Sequence, residues 1–183
     1  MPQFIVLLRG VNVGKANRVP MAAFKSLLQD LGHEDVATLL NSGNAVFRSA
    51  ARSPAGHAQR IAAALAQTMD VHVPVVVKSA AQLAAAVDEN PFVMDEAEHA
   101  RFLVAIAQDA TPLAALAPLQ WLVQPTERFA IGTHAAYLHC AAGLLESRAG
   151  AALLGKVGQA ITSRNWATTL KLRALCGERA RAG

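Results

Sequence analysis

The chain reads as an α+β protein built from two ferredoxin-like halves in tandem, each an antiparallel sheet with helices packed on one face. Three observations predict this. Strand-length apolar runs and helix-period segments follow one another as β-α-β-β-α-β over residues 1–80. A second, more divergent series occupies residues 81–183 and ends in a helix at 165–176. With 53% apolar and 16% charged residues in 183 positions, the chain can bury cores of that size.

The first half opens on the apolar run Phe4 to Leu8, a central strand. A polar loop follows, Arg9-Gly10-Val11-Asn12-Val13-Gly14-Lys15-Ala16-Asn17-Arg18. Pro20 then opens a helix, where its missing N–H costs nothing. Met21, Phe24, Leu27, Leu28 and Leu31 mark its apolar stripe, and Gly32 stops it. Val36 to Leu40 and Ala45 to Phe47 form a hairpin across Asn41-Ser42-Gly43-Asn44, which has turn chemistry. Ser53-Pro54 gives a cap and a first-turn proline for a helix whose face carries Ile61, Leu65 and Met69. Val71 to Lys78 is β-branched, and Pro74 inside it makes it an edge strand or a strand with a bulge.

In the second half, Ala80 to Asn90 is an alanine-rich helix stopped by Pro91, and Arg101 to Gln108 is a strand. Thr111-Pro112 starts a short helix to about Leu116. Arg128 to Gly132 pairs with Ala136 to Cys140. Leu144 to Val157 is helical in part, broken at Gly150 and Gly155. Ala160 to Ser163 is a short strand or an extended entry, Ser163 caps the last helix, and Gly177 ends it, leaving six frayed residues.

Composition excludes several classes. No apolar run approaches the ~20 residues of a membrane span, and Phe4 to Leu8 is too short for a signal-peptide core, so a cytoplasmic protein is expected. Cys140 and Cys176 form no C-x-x-C pair and read as small core residues. The net charge of +4 is uneven. From Arg148 onward there are seven basic residues against Glu178, whereas Asp88 to Asp109 holds six acids against Arg101. A basic C-terminal segment favours an anionic partner, or is a solvated helix face.

Gly10-x-x-x-Gly14-Lys15 after a strand resembles a P-loop but fails as one. It is one residue short, Ala16 stands where a Mg²⁺-binding hydroxyl is required, and the helix begins too late to meet a phosphate held by Lys15. A generic anion site survives: Arg9, Lys15 and Arg18 supply charge, Gly10 and Gly14 let backbone N–H groups approach, and Asn12 and Asn17 donate or accept. The competing reading is a structural loop whose asparagines satisfy the backbone. A second polar cluster runs from Ile161 to Leu172. With Ser163 as cap, Arg164 and Asn165 fall in a first helical turn, where an arginine opposes the dipole and is often kept to grip an anion. Lys171 then shares its face, while Trp166 reads as core. Tyr137 and His139 share a strand face and either line a cleft or cover a sheet edge. No metal-ligand spacing or nucleophile elbow is present, and neither polar cluster holds a carboxylate, so no metal or cofactor is expected.

L-L-R-G-V-N-V-G-K-A-N-R-V-P-M (Leu7 to Met21), L-N-S-G-N-A-V-F (Leu40 to Phe47), N-P-F (Asn90 to Phe92) and T-S-R-N-W-A-T-T-L-K-L (Thr162 to Leu172) resemble, in the same order, the bacterial domain of unknown function 1697 family. Lys15 departs from its usual second glycine. The resemblance implies tandem ferredoxin-like halves and no particular activity. It groups Arg9, Gly10, Asn12, Gly14, Asn17, Arg18, Ser42, Gly43, Asn44, Arg164, Asn165, Trp166 and Lys171, and with Lys15 these are expected to serve one polar cleft between the halves.

Four functions compete. The first is binding of an anionic or phosphate-bearing small molecule in that cleft. The second is single-stranded nucleic-acid binding on a ferredoxin-like sheet, weakened by 5% aromatics and no stacking motif. The third is an enzyme of unknown reaction, with Ser42, Tyr137 or His139 moving protons. The fourth is a purely structural role for the motifs. No membrane partner is expected, and oligomeric state is open.

Overall fold

A computed structural model describes residues 1–181, with side-chain surroundings to residue 177. Contacts divide the chain into two compact units, one formed by Met1–Leu83 with the segment from Leu172, the other by Ala84–Lys171.

In the first unit the elements are β1 (Gln3–Leu8), α1 (Met21–Asp30), β2 (Glu34–Leu39), β3 (Asn44–Arg48), α2 (Pro54–Met69), β4 (Val75–Ser79) and the start of α3 (Ala80–Asp88). The antiparallel sheet has the order β2-β3-β1-β4, the ferredoxin-like arrangement. Phe4, Val6 and Leu8 alternate along β1 and enter one core with Phe24, Leu27 and Leu28 of α1 and Ile61 and Leu65 of α2. Each such side chain contributes about 1.5–3 kcal/mol when fully buried. Ser53 caps α2, its Oγ accepting from the Gly56 N–H at 3.0 Å, with Pro54 in the first turn. Pro74 stays outside β4, which starts one residue later at the sheet edge, and its carbonyl accepts the Arg9 N–H at 3.1 Å.

The second unit repeats the scheme with β5 (Phe102–Ala107), α4 (Thr111–Ala114), β6 (Arg128–Ile131), β7 (Ala136–His139), α5 (Arg148–Leu154) and β8 (Ile161–Asn165), in the order β6-β7-β5-β8. α6 (Trp166–Arg181) follows. The short helix expected from Thr111-Pro112 forms as α4, ending at Ala114, and a 3-10 helix at Ala117–Leu122 follows it before β6. Leu113, Leu116 and Leu119 still reach the core beside Leu103, Leu138 and Leu153.

Three expectations are corrected. Gly150 does not break a helix. It lies inside α5, where a Cβ would come 2.6 Å from Leu144 Cδ1, so a side chain is excluded by packing. Gly177 does not end the last helix, which continues to Arg181, because nothing holds this glycine at positive φ. Residues 182–183, the end of the segment expected to fray, lie outside the described residues. Ser163 is not a cap: β8 stays paired to β5 through Val104↔Arg164 and Leu103↔Asn165, and Asn165 caps α6, its Oδ1 accepting the Thr168 N–H at 2.9 Å. Arg164 and Lys171 therefore do not share a helix face.

Candidate functional site

In the first unit the glycine loop folds back on itself. Val13 and Ala16 form an isolated antiparallel bridge, and the Asn12 N–H donates to Asn17 O at 3.1 Å. Gly10, Asn12, Gly14 and Asn17 all take positive φ, between 49° and 64°, a region open to glycine and tolerated by asparagine. Asn12 is the loop's anchor. Its Nδ2 donates to Val19 O at 2.9 Å and to Asn41 O at 2.7 Å, and its Oδ1 accepts the Val19 N–H at 2.8 Å. Asn17 Nδ2 donates to Gly10 O at 3.4 Å.

The β2–β3 turn is locked beside it. Asn44 is fully buried, and its Nδ2 donates to Leu39 O at 3.0 Å and to Ser42 Oγ at 2.9 Å. Gly43 at φ +75° carries its carbonyl to the Leu8 N–H at 2.9 Å, and a Cβ there would stand 2.6 Å from Leu8 Cβ and 2.7 Å from Val11 Cγ2. Asn12 and Asn17 thus spend their side chains on backbone groups, and Asn44 on the Leu39 carbonyl and the Ser42 hydroxyl.

The charged groups left facing outward are cationic. Lys15 and Arg18 are exposed, as are Gly10, Gly14 and Ser42. Arg9 is half-buried, and desolvation lowers its pKa from the ordinary value. Between the loop, the turn and the start of α1 lies a depression of about 330 Å³ lined by Asn12, Gly14, Arg18, Val19, Pro20, Met21 and Asn41. α1 begins on it without a side-chain cap and without an acid in its first turn.

The second polar cluster sits on the second unit. Arg164 is 8% exposed on β8, and its Nη1 donates to Thr162 Oγ1 at 2.6 Å and to Ser163 O at 2.8 Å. Desolvation lowers its pKa to about 10, so the guanidinium remains charged at neutral pH. Asn165 is the α6 cap, Trp166 is half-buried with its ring 5.3 Å from Phe102, and Lys171 is exposed.

The motif strings and the twice-repeated βαββαβ topology now meet an external comparison. Residues 1–137 match the family described as protein of unknown function, DUF1697. The chain belongs to that family. The conserved bacterial protein SP0830 from Streptococcus pneumoniae is similar in fold, with a TM-score of 0.79 at 22% identity over 94% of this chain and 97% of that one. No curated protein matches.

This DUF1697 chain also holds groups that its motifs did not announce. Glu89, just beyond α3, accepts backbone N–H bonds from Thr133, His134 and Ala135 at 3.0, 2.7 and 2.9 Å. The Tyr137 hydroxyl lies between Glu89 Oε1, at 3.1 Å, and the Ala86 carbonyl. Tyr137 is fully buried, and desolvation followed by the Glu89 charge pushes its pKa well up. His139 is buried too, its Nε2 2.7 Å from Glu98 Oε2, so neither residue covers an exposed sheet edge. No set of three His, Cys, Asp or Glu residues suited to a metal occurs among the described residues. No described helix is long and apolar enough to cross a membrane.

Proposed function

We propose that this protein binds an anionic, phosphate-bearing small molecule in the depression beside the glycine loop. One observation carries the reading: the polar part of that lining is cationic or neutral, with Arg18, Asn12, Asn41 and Gly14 and no carboxylate. The N-terminal end of α1 adds unpaired N–H groups of its first turn and the positive end of its dipole. Asn12 holds the loop, and Gly14 keeps backbone exposed to a ligand. A volume near 330 Å³ suits a ligand of nucleotide or sugar-phosphate size better than inorganic phosphate alone. Its setting is read as cytoplasmic, supported by two unpaired, buried cysteines.

The test is isothermal titration of the parent chain and Arg18→Ala with nucleotides, sugar phosphates, inorganic phosphate and short oligonucleotides. Saturable binding of one small anion, weakened about tenfold or more in Arg18→Ala, is expected. Binding of oligonucleotides alone, with a steep salt slope, would replace the reading with nucleic-acid binding. Binding of nothing, or binding indifferent to Arg18, would end it.

A further inference from the structure

His33 follows α1 directly and is 4% exposed, yet neither Nδ1 nor Nε2 has a hydrogen-bond partner. Its ring stacks on Phe47 with centroids 4.2 Å apart and meets His57 edge-on at 4.9 Å. Phe4 and Phe47 enclose His57 in turn, at 4.6 and 5.3 Å. His57 Nε2 lies 2.9 Å from Ala51 O, a carbonyl that only an N–H can satisfy, so Nε2 carries the proton. Its Nδ1 is buried without a partner. Two imidazoles are therefore set against one another inside an aromatic box.

The charged surroundings oppose a proton on His33. Across from it, α2 presents His57 and Arg60, whose Nη2 is fixed on Leu31 O at 2.9 Å. β1 and β3 present Phe4 and Phe47, and α1 offers only the Leu28 carbonyl, which accepts the His33 N–H at 3.1 Å. Just after it, at the start of β2, Glu34 is exposed, and Asp35 is engaged with Arg48 at 3.4 Å. The site is also at a weak place in the sheet. β2 is an edge strand, its pairing with β3 is irregular between Glu34 and Ala37, and Asp35 takes a φ of +50°.

We infer that His33 is an acid-operated latch: neutral, it closes the α1–β2 corner onto α2, and protonated, it leaves the aromatic box and frees that corner while the remainder of the fold stays formed. Burial, then His57, then Arg60 lower the His33 pKa to about 4. The sign follows. Between the ordinary value of 6.5 and about 4 the open form binds a proton that the closed form does not, so closure is complete above 6.5 and is lost as pH falls. From well above pH 6.5 to well below pH 4 the closed-to-open ratio drops by up to about 300-fold.

The experiment is pH-resolved amide hydrogen exchange from pH 7 to 4, beside an NMR titration of the imidazole protons, on the parent and on His33→Phe. Both tryptophans, Trp121 and Trp166, lie in the second unit, so tryptophan fluorescence is not the readout. Expected are a His33 titration below 5 and a selective loss of protection over residues 31–37, while residues 102–107 keep theirs. His33→Phe should fill the box and hold protection flat. A His33 that titrates near 6.5 in the folded protein, an unchanged acid loss in His33→Phe, or simultaneous loss in both segments would overturn the latch. The parent's NMR titration stands even where the variant fails to fold.

Discussion

The Glu89 carboxylate is seated on the backbone of His134, with Oε1 2.7 Å from its N–H. Thr133 and Ala135 donate to the same group, so the β6–β7 turn is fastened to the end of α3 by one side chain. A Cβ on Gly132 would collide with that carboxylate and force it off its seat on the turn.

Glu89→Ala should destabilise the second unit by about 1–3 kcal/mol, because three turn N–H groups lose their acceptor. Burial alone would raise the Glu89 pKa, but the bonds from His134, Ala135, Tyr137 and Thr133 outweigh it and hold it below the ordinary carboxylate value of 4.5. A depressed carboxylate stabilises above the unfolded value, and that contribution is lost as pH falls through the folded one. Urea melts at pH 7 and at mildly acidic pH check this. Glu89→Gln should flatten the acid limb, and an acid limb identical to the parent's would refute the assignment.

Gly43 and Gly14 both sit at positive φ, but only Gly43 is enclosed. Gly43→Ala should cost about 2–4 kcal/mol, combining backbone strain with overpacking against Leu8 and Val11. Gly14→Ala meets nothing within 4 Å and should cost about 1 kcal/mol. Thermal melts should place the two variants several degrees apart, and equal melting temperatures would contradict the packing described.

Asn12→Asp keeps the oxygen that accepts the Val19 N–H and loses both donors, turning a carboxylate oxygen toward the carbonyls of Val19 and Asn41. It should be no better than Asn12→Ala, with each losing about 1–3 kcal/mol. An Asn12→Asp chain as stable as the parent would show that the donors carry no weight. Crystallography of either variant should find the loop displaced over residues 10–18.

Cys140 and Cys176 are buried, and burial raises both thiols, Cys176 to about 11 from 9.0. That shift alone cuts the Cys176 thiolate fraction at neutral pH by roughly 100-fold. Iodoacetamide should label both residues rapidly in denaturant and slowly in the native chain. Equal rates in the two states would mean that the thiols are accessible.

Much of the fold was legible in order of elements, because each rests on local chemistry. Ser53-Pro54 caps a helix, Pro20 opens one, and the Asn41–Asn44 turn closes a hairpin, whatever lies around them. Phe24, Leu27 and Leu28 recur at helical spacing and are all buried. The Ser163–Asn165 boundary was not legible. Ser163 is a good cap residue by type, but β5 offers hydrogen bonds two residues further on, and pairing across the sheet outweighs a local cap. Gly150 misled for a similar reason: its value lies in contact with Leu144, which no spacing encodes.

By itself, then, the sequence determined the succession of strands and helices, the doubled ferredoxin-like scheme and the polar strings that mark the family. Those follow from periodicity, caps and turn residues, which act within a few positions. Only the tertiary structure decided what the polar residues do. It set Asn12 and Asn17 on backbone carbonyls of the glycine loop and buried Asn44 in the β2–β3 turn, left Lys15 and Arg18 facing outward, set Arg164 in a strand, and buried the His33 ring without a hydrogen-bond partner. Hydrogen-bond partners and burial are set by segments distant in the chain, and residue type alone does not carry them.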